Sequence, residues 1–124
     1  MRGGPKVRCG GRWTESAFTS FIKNALRAAS SRWAPKYDCL KAARVARGKY
    51  KCAACGELFG PKEVKVDHIE PVVDPVTGFL DWNEYIKRLF VEITGYQTLC
   101  VGCHHEKSIA ENERRRTLKS ATII

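Results

Sequence analysis

The 124-residue sequence predicts a single small α+β domain. Three observations point there. Phe18, Phe21, Ile22, Ala25, Leu26 and Ala29 recur at helical spacing. Val64, Val66 and His68 alternate with Lys65 and Asp67, the period of a strand. Four of the six cysteines form two Cys-x-x-Cys pairs, Cys52/Cys55 and Cys100/Cys103, which suggests a frame that holds distant segments together.

Taken in order, residues 1–12 are rich in Gly, Pro and Arg and are expected to be mobile. Thr14 is a helix N-cap, and the apolar stripe predicts a core-packed helix over 15–32 with Lys23, Arg27 and Arg32 on its other face. Pro35 favours a second helix over 36–47. Tyr37, Leu40, Ala43 and Ala46 would face inward there, Lys41, Arg44 and Arg47 outward, and Gly48 would end it. Gly56, one residue beyond Cys52-x-x-Cys55, suits a tight metal-binding turn. After the turn signal Gly60-Pro61-Lys62 comes the strand over 64–68. Residues 71–80, with Pro71, Pro75 and Gly78, form a loop. Asp81 caps a helix carrying Trp82, Tyr85, Ile86, Leu89 and Phe90, Val91–Thr98 is irregular, and a last helix begins near Cys100 and runs through Glu113 or beyond.

The formal charge of +9 is uneven. Residues 1–51 hold 13 Lys and Arg against two acids, residues 52–113 hold five against 11, and Arg114, Arg115, Arg116 and Lys119 follow. The expected organisation is a basic arm and helices over 1–49, a core over 50–113 and a basic tail over 114–124. Two basic ends around an acidic, Cys/His-rich centre point to a polyanionic partner. Nucleic acid fits best, since each phosphate neutralised by Lys or Arg releases a counterion; an anionic membrane surface or an acidic protein is the other choice. The candidate DNA contacts are Lys41, Arg44, Arg47, Lys49, Lys51, Lys107, Arg114, Arg115 and Arg116. No apolar run approaches the ~18 residues of a membrane span, and Met1–Lys6 lacks a signal peptide's apolar stretch. A cytoplasmic location is therefore expected, with no membrane partner.

Six cysteines could make three disulfides in a secreted domain, but without an export signal the paired spacing reads as metal binding. Four thiolates are the ligand set of a closed tetrahedral Zn²⁺ site, one per chain. Redox-active dithiols are the alternative, disfavoured because neither pair sits in a βαβ pattern. The 44 residues between Cys55 and Cys100 exceed the ~15–20 of a zinc ribbon, so an insert lies between the halves. Metal binding could supply much of the folding free energy of so small a domain. Cys9 and Cys39 receive no role.

The insert opens with Val66-Asp67-His68-Ile69-Glu70-Pro71 and closes with Leu99-Cys100-Val101-Gly102-Cys103-His104-His105-Glu106-Lys107-Ser108. Adjacent strand residues point to opposite sides. Asp67 and His68 can share a site only if the strand ends or bends, which Pro71 favours. With His104 on the first turn of a helix anchored by the Cys frame, Asp67, His68 and His104 are expected to come together.

In these residues, Cys-x-x-Cys, then Asp-His-Ile-x-Pro, then Leu-Cys-x-x-Cys-His-x-x-Lys-Ser, the chain resembles the HNH endonuclease family over residues 50–110, its small zinc-bearing bacteriophage members above all. The resemblance implies a ββα-metal fold behind the basic N-terminal helices, and cleavage or nicking of DNA that leaves 5′-phosphate and 3′-hydroxyl ends. It implies His68 as the general base, a residue type with a neutral, proton-accepting form at physiological pH. Asp67 and His104 are implied as ligands of a catalytic divalent ion. One Asp and one His leave room for waters, which suits Mg²⁺ or Mn²⁺ and admits Ni²⁺. Ser108 stands where some relatives carry a further His, so a His-rich zinc-type catalytic site is not expected. The family's central Asn falls at Gly95; a backbone carbonyl near Gly95 bonding to the His68 ring, or Gln97 as a tether, is expected to substitute. Lys107 is read as a phosphate contact or a partner of Glu70, and His105 as a phosphate or solvent contact. The resemblance would place the protein in the host-cell cytoplasm if it is phage-encoded. The alternatives are a catalytically degenerate zinc-bound nucleic-acid-binding module or a subunit of a phage DNA-packaging machine with a packaging partner. The oligomeric state is open.

Overall fold

Thr14 starts the first helix as predicted, its Oγ1 accepting from Ala17 N at 3.1 Å in the computed structural model, which describes residues 4–123 and side chains as far as Leu118. Arg2 and the Lys119 side chain, among the basic positions of the two ends, lie outside the described residues. The chain forms two compact units, Met1–Arg32 and Trp33–Ile124.

In the first unit α1 spans Glu15–Ser30. The segment before it is a closed turn rather than a loose arm. Arg8 and Trp13 bridge through their backbones, and the Arg8 guanidinium binds Glu15 twice, at 2.9 and 3.1 Å, while lying 4.3 Å over the Phe18 ring. The apolar stripe is only partly covered. Phe21 remains 55% exposed, resting edge-on against Trp13.

The second unit begins with α2, Ala34–Ala43, shorter than expected, with Pro35 in its first turn. Two antiparallel strands replace the predicted end of this helix: β1, Arg44–Ala46, and β2, Lys49–Lys51. Gly48 does not cap a helix; its φ of +72° makes the turn between these strands. β-Branched Val45 suits the pleat better than a helix. The inward face of α2 also differs: Cys39 is the buried residue and Tyr37 is exposed. Beyond β2, β3 (Leu58–Phe59) pairs Phe59 with Tyr50 and Leu58 with Lys51, completing a three-stranded sheet in the order β1-β2-β3.

A second sheet has two antiparallel strands, β4 (Val64–His68) and β5 (Tyr96–Cys100). Its register pairs Val64 with Cys100, Asp67 with Gln97 and His68 with Tyr96. Much of β5 falls where an irregular stretch is expected. Its residues Tyr96, Thr98, Leu99 and Cys100 are all buried, so its pattern is a buried run rather than an alternation, and short apolar runs carry no clear period. Between the strands lie the loop over 71–80 and α3, Trp82–Leu89, capped by Asp81, whose Oδ1 accepts from Glu84 N at 2.8 Å. The helix buries Tyr85 and Leu89. β5 runs directly into α4, Val101–Ile123, which continues through Arg114–Arg116 without a break. The division between the compact units falls between Arg32 and Trp33, at the start of α2.

The apolar core is small: Cys39, Cys52, Val64, Tyr85, Leu89, Tyr96, Leu99 and Cys100. Three of these eight residues are cysteines, so sulfur forms a large share of the interior. No helix among the described residues is long and apolar enough to cross a membrane.

Candidate functional site

The two Cys-x-x-Cys halves arrive on different supports. Cys52 follows β2 and Cys55 lies in the turn toward β3, where Gly56 takes a φ of +75° and donates its N–H to Cys52 O. Ala53 N donates to Thr98 O at 2.8 Å, tying this turn to β5. Cys100 is the last residue of β5, and Cys103 lies in the first turn of α4. In both halves the second Cys donates its N–H to the first Cys Sγ, at 3.5 Å from Cys55 and 3.4 Å from Cys103.

All four sulfurs lie within 4.8 Å of one another. Tetrahedral Zn–S bonds of ~2.3 Å put sulfurs about 3.8 Å apart, so a small contraction around an ion completes the shell. The cluster could hold a metal ion such as zinc. Its proton chemistry agrees. Burial pushes the Cys52 thiol up, but hydrogen bonds from the backbones of Cys100, Cys55 and Ala54 outweigh it and bring it to about 6. Cys103, donating to Cys100 and further raised by burial, is pushed up to about 12, and Cys55 is also raised. Four crowded thiols cannot share several negative charges without a cation among them.

A second cluster lies where β4 meets α4. Asp67 Oδ1 is 3.7 Å from His104 Nε2, and Asp67 Oδ2 is 2.7 Å from Lys107 Nζ. Asp67 Oδ2 is enclosed, and the Lys107 ammonium lies off its hydrogen-bonding direction, so the oxygen is paired by charge alone. Lys107 also donates to His68 O at 3.0 Å and to Glu111 Oε2 at 3.3 Å. Burial lowers the Lys107 pKa, but Asp67 and then Glu111 outweigh it, so the net direction is upward. His104, Lys107 and Glu111 stand three and four residues apart, on one helix face.

The His68 ring goes elsewhere. β4 continues through His68, so its side chain takes the side opposite Asp67. Nε2 lies 2.7 Å from Leu89 O, and the ring centroid is 4.9 Å from that of Tyr96. A carbonyl only accepts, so Nε2 carries the hydrogen, and in a neutral ring Nδ1 would hold the lone pair. The buried Tyr96 hydroxyl donates to the same carbonyl at 3.1 Å. Among the described residues no hydrogen bond or ion pair joins the His68 ring to Asp67 or His104. The expected meeting of three groups is thus corrected to a pair, Asp67 with His104, with His68 across the strand.

Gly95 is explained by packing. A Cβ there would lie 2.6 Å from Val91 Cγ2 and 2.8 Å from Val91 Cβ, so no side chain fits without moving Val91. Val91 is itself held by Trp33, whose Nε1 donates to Val91 O at 2.7 Å. The carbonyl that meets the His68 ring belongs to Leu89, not Gly95; Gly95 O accepts from Ile69 N at 3.0 Å and ties down the exit of β4. Gln97 is tethered through the strand itself, opposite Asp67.

Of the candidate DNA contacts, Lys41, Arg44, Arg47, Lys49, Lys51, Arg114, Arg115 and Arg116 are exposed. Four of these, Arg44, Arg47, Lys49 and Lys51, lie on the β1–β2 hairpin. Lys107 is the exception. It turns inward to Asp67 and Glu111, with neither a free end for phosphate nor Glu70 as its partner. His105 is exposed. Sequence reasoning missed Glu111, which lies beyond the recognised motif, and Arg88. The latter guanidinium binds Pro71 O at 2.6 Å and Val72 O at 3.0 Å, fastening the loop after β4. No signal in a single sequence marks a side chain that binds carbonyls 16 or 17 residues away.

No protein-family model matches the chain, and no curated protein or solved structure matches it.

Proposed function

We propose that the protein is a divalent-metal-dependent DNA endonuclease of the HNH type, in which β4, β5 and the first turns of α4 form the ββα-metal core and the four cysteines hold a structural Zn²⁺. The observation that carries this reading is the approach of Asp67 to His104 at 3.7 Å, with His104 directly following Cys103 of the four-sulfur cluster. The Asp67 carboxylate beside an imidazole nitrogen is a hard O,N pair suited to Mg²⁺ or Mn²⁺. When bound there, the ion would stabilise the charge developing on the leaving 3′ oxygen. His68 takes the proton of the attacking water at Nδ1, and its Nε2–H bond to Leu89 O fixes the tautomer that leaves Nδ1 free. The exposed cations of the β1–β2 hairpin bind DNA phosphates, positioning the strand without reading its sequence.

Supercoiled plasmid nicking by the full chain, with and without Mg²⁺ or Mn²⁺, tests the reading. Metal-dependent nicks with 5′-phosphate ends, lost in His68→Ala, support it. Identical behaviour of wild type and His68→Ala in every metal defeats it. One observation favours a second reading, a zinc-bound nucleic-acid-binding module without catalysis: the His68 ring is engaged by Leu89 O on the face of β4 away from Asp67 and His104. That module would retain salt-sensitive DNA binding and nick nothing.

A further inference from the structure

We propose that Lys107 is a positioning residue for the Asp67–His104 site, braced by Glu111; the inference rests on the endonuclease reading of that site. Three oxygens surround one ammonium: Asp67 Oδ2 as an ion pair at 2.7 Å, and His68 O and Glu111 Oε2 as acceptors at 3.0 and 3.3 Å. The side chain is 24% exposed, so it is spent inside the fold rather than offered to a phosphate.

Its placement answers a difficulty set by strand geometry. Asp67 and His68 diverge because neighbouring strand residues face opposite ways. Lys107 reaches the carboxylate of one and the main-chain carbonyl of the other, so a single side chain of α4 fixes both the direction of Asp67 and the end of β4. Glu111, one turn further along α4, holds the ammonium from behind. His104 precedes Lys107 by three residues on the same face, so the helix presents one proposed ligand and the brace for the other at a fixed spacing. Without Lys107 the carboxylate is free to rotate from His104, and the β4 terminus loses this tie to α4. Outer partners of metal ligands commonly change affinity 10- to 100-fold when removed.

The test measures Mn²⁺ binding by the full, zinc-loaded chain, reading free Mn²⁺ by electron paramagnetic resonance, with Asp67→Ala as the reference for a lost site. Lys107→Met is expected to weaken Mn²⁺ binding about 10-fold with zinc content unchanged, and Lys107→Arg to recover part of the loss. Binding by Lys107→Met as tight as wild type overturns the proposal. Tighter binding also overturns it, because the ammonium would then be a competing cation. Should Lys107→Met not fold, Glu111→Gln takes its place: weaker Mn²⁺ binding supports the brace, and unchanged binding removes it. The two readings separate cleanly. Lys107-dependent Mn²⁺ binding without nicking sinks the endonuclease and keeps the positioning role. Nicking with Mn²⁺ affinity indifferent to both substitutions does the reverse. Wild type that binds Mn²⁺ no better than Asp67→Ala ends both.

Discussion

The two sides of β4 differ in kind. Around Asp67 stand His104, Lys107 and, behind the lysine, Glu111, all supplied by one helix. Around His68 stand a neutral carbonyl, the Tyr96 ring and the α3–β5 connection anchored by Trp33. The first side is built of charge and leaves a carboxylate oxygen without an aligned donor. The second is built of fixed, uncharged partners that select one tautomer. The contrast teaches that the pleat sends adjacent residues of one strand into different environments, one charged and one neutral.

The largest expected effect removes what both sides share. Structural zinc carries an apparent binding free energy of ~10–16 kcal/mol, comparable with or above the whole stability of a typical domain at ~5–15 kcal/mol. Chelation, or Cys100→Ser, should therefore abolish cooperative unfolding of the second unit, followed by circular dichroism. Cys55→Ser should cost less, since Cys55 is exposed and Cys100 is buried. Equal, small losses in both would show that the cluster is not a structural centre. Because bound thiols must be deprotonated, zinc retention should fall as pH falls.

Next comes a separation of the two sides. Asp67→Ala should lose Mn²⁺ binding and nicking together. His68→Ala should keep Mn²⁺ binding while nicking falls ~10²-fold or more, the usual contribution of a general base. Joint loss of both properties in His68→Ala would mean that the sides are not independent.

A smaller effect probes the packing behind His68. Gly95→Asn, which introduces the residue type that HNH enzymes carry at the corresponding place, should not raise activity. It should destabilise by ~1–3 kcal/mol in chemical denaturation, because the new Cβ collides with Val91. A more active, equally stable variant would show that Val91 yields readily.

The smallest effect concerns the loop that follows β4. Asp74 Oδ1 accepts from Val76 N and Thr77 N, and these bonds hold its carboxyl below the ordinary value of 3.8. A depressed carboxyl contributes stability that is present above its unfolded value and lost as pH falls through the folded one. Asp74→Asn keeps an oxygen for both N–H groups but has no proton to titrate. Its stability relative to wild type should therefore improve as pH drops below about 4, the unfolded aspartate range. A constant difference across that range would remove Asp74 from the acid response.

Local chemistry made several features legible in advance. Thr14 and Asp81 announce helix starts because a cap acts on N–H groups two or three residues away. Two Cys-x-x-Cys pairs announce a shared cluster because two residues are the span of a metal turn. The Asp67–His104 pairing was also within reach, since a helix leaving the last cysteines has little freedom of direction. Long-range competition decided the rest. Residues 44–46 became a strand because a hairpin partner at 49–51 supplied a ladder that helix propensity could not foresee. Tyr96–Cys100, expected in part as irregular chain, is a strand whose buried residues do not alternate. The face taken by His68, the inward turn of Lys107 and the absence of room at Gly95 depend on atoms from other segments: Leu89 O, Glu111 and Val91. Sequence thus determined which chemical groups this protein possesses and roughly where each element begins. Tertiary structure alone decided which groups face one another, because a contact's energy depends on both partners while a residue's own propensity depends on one.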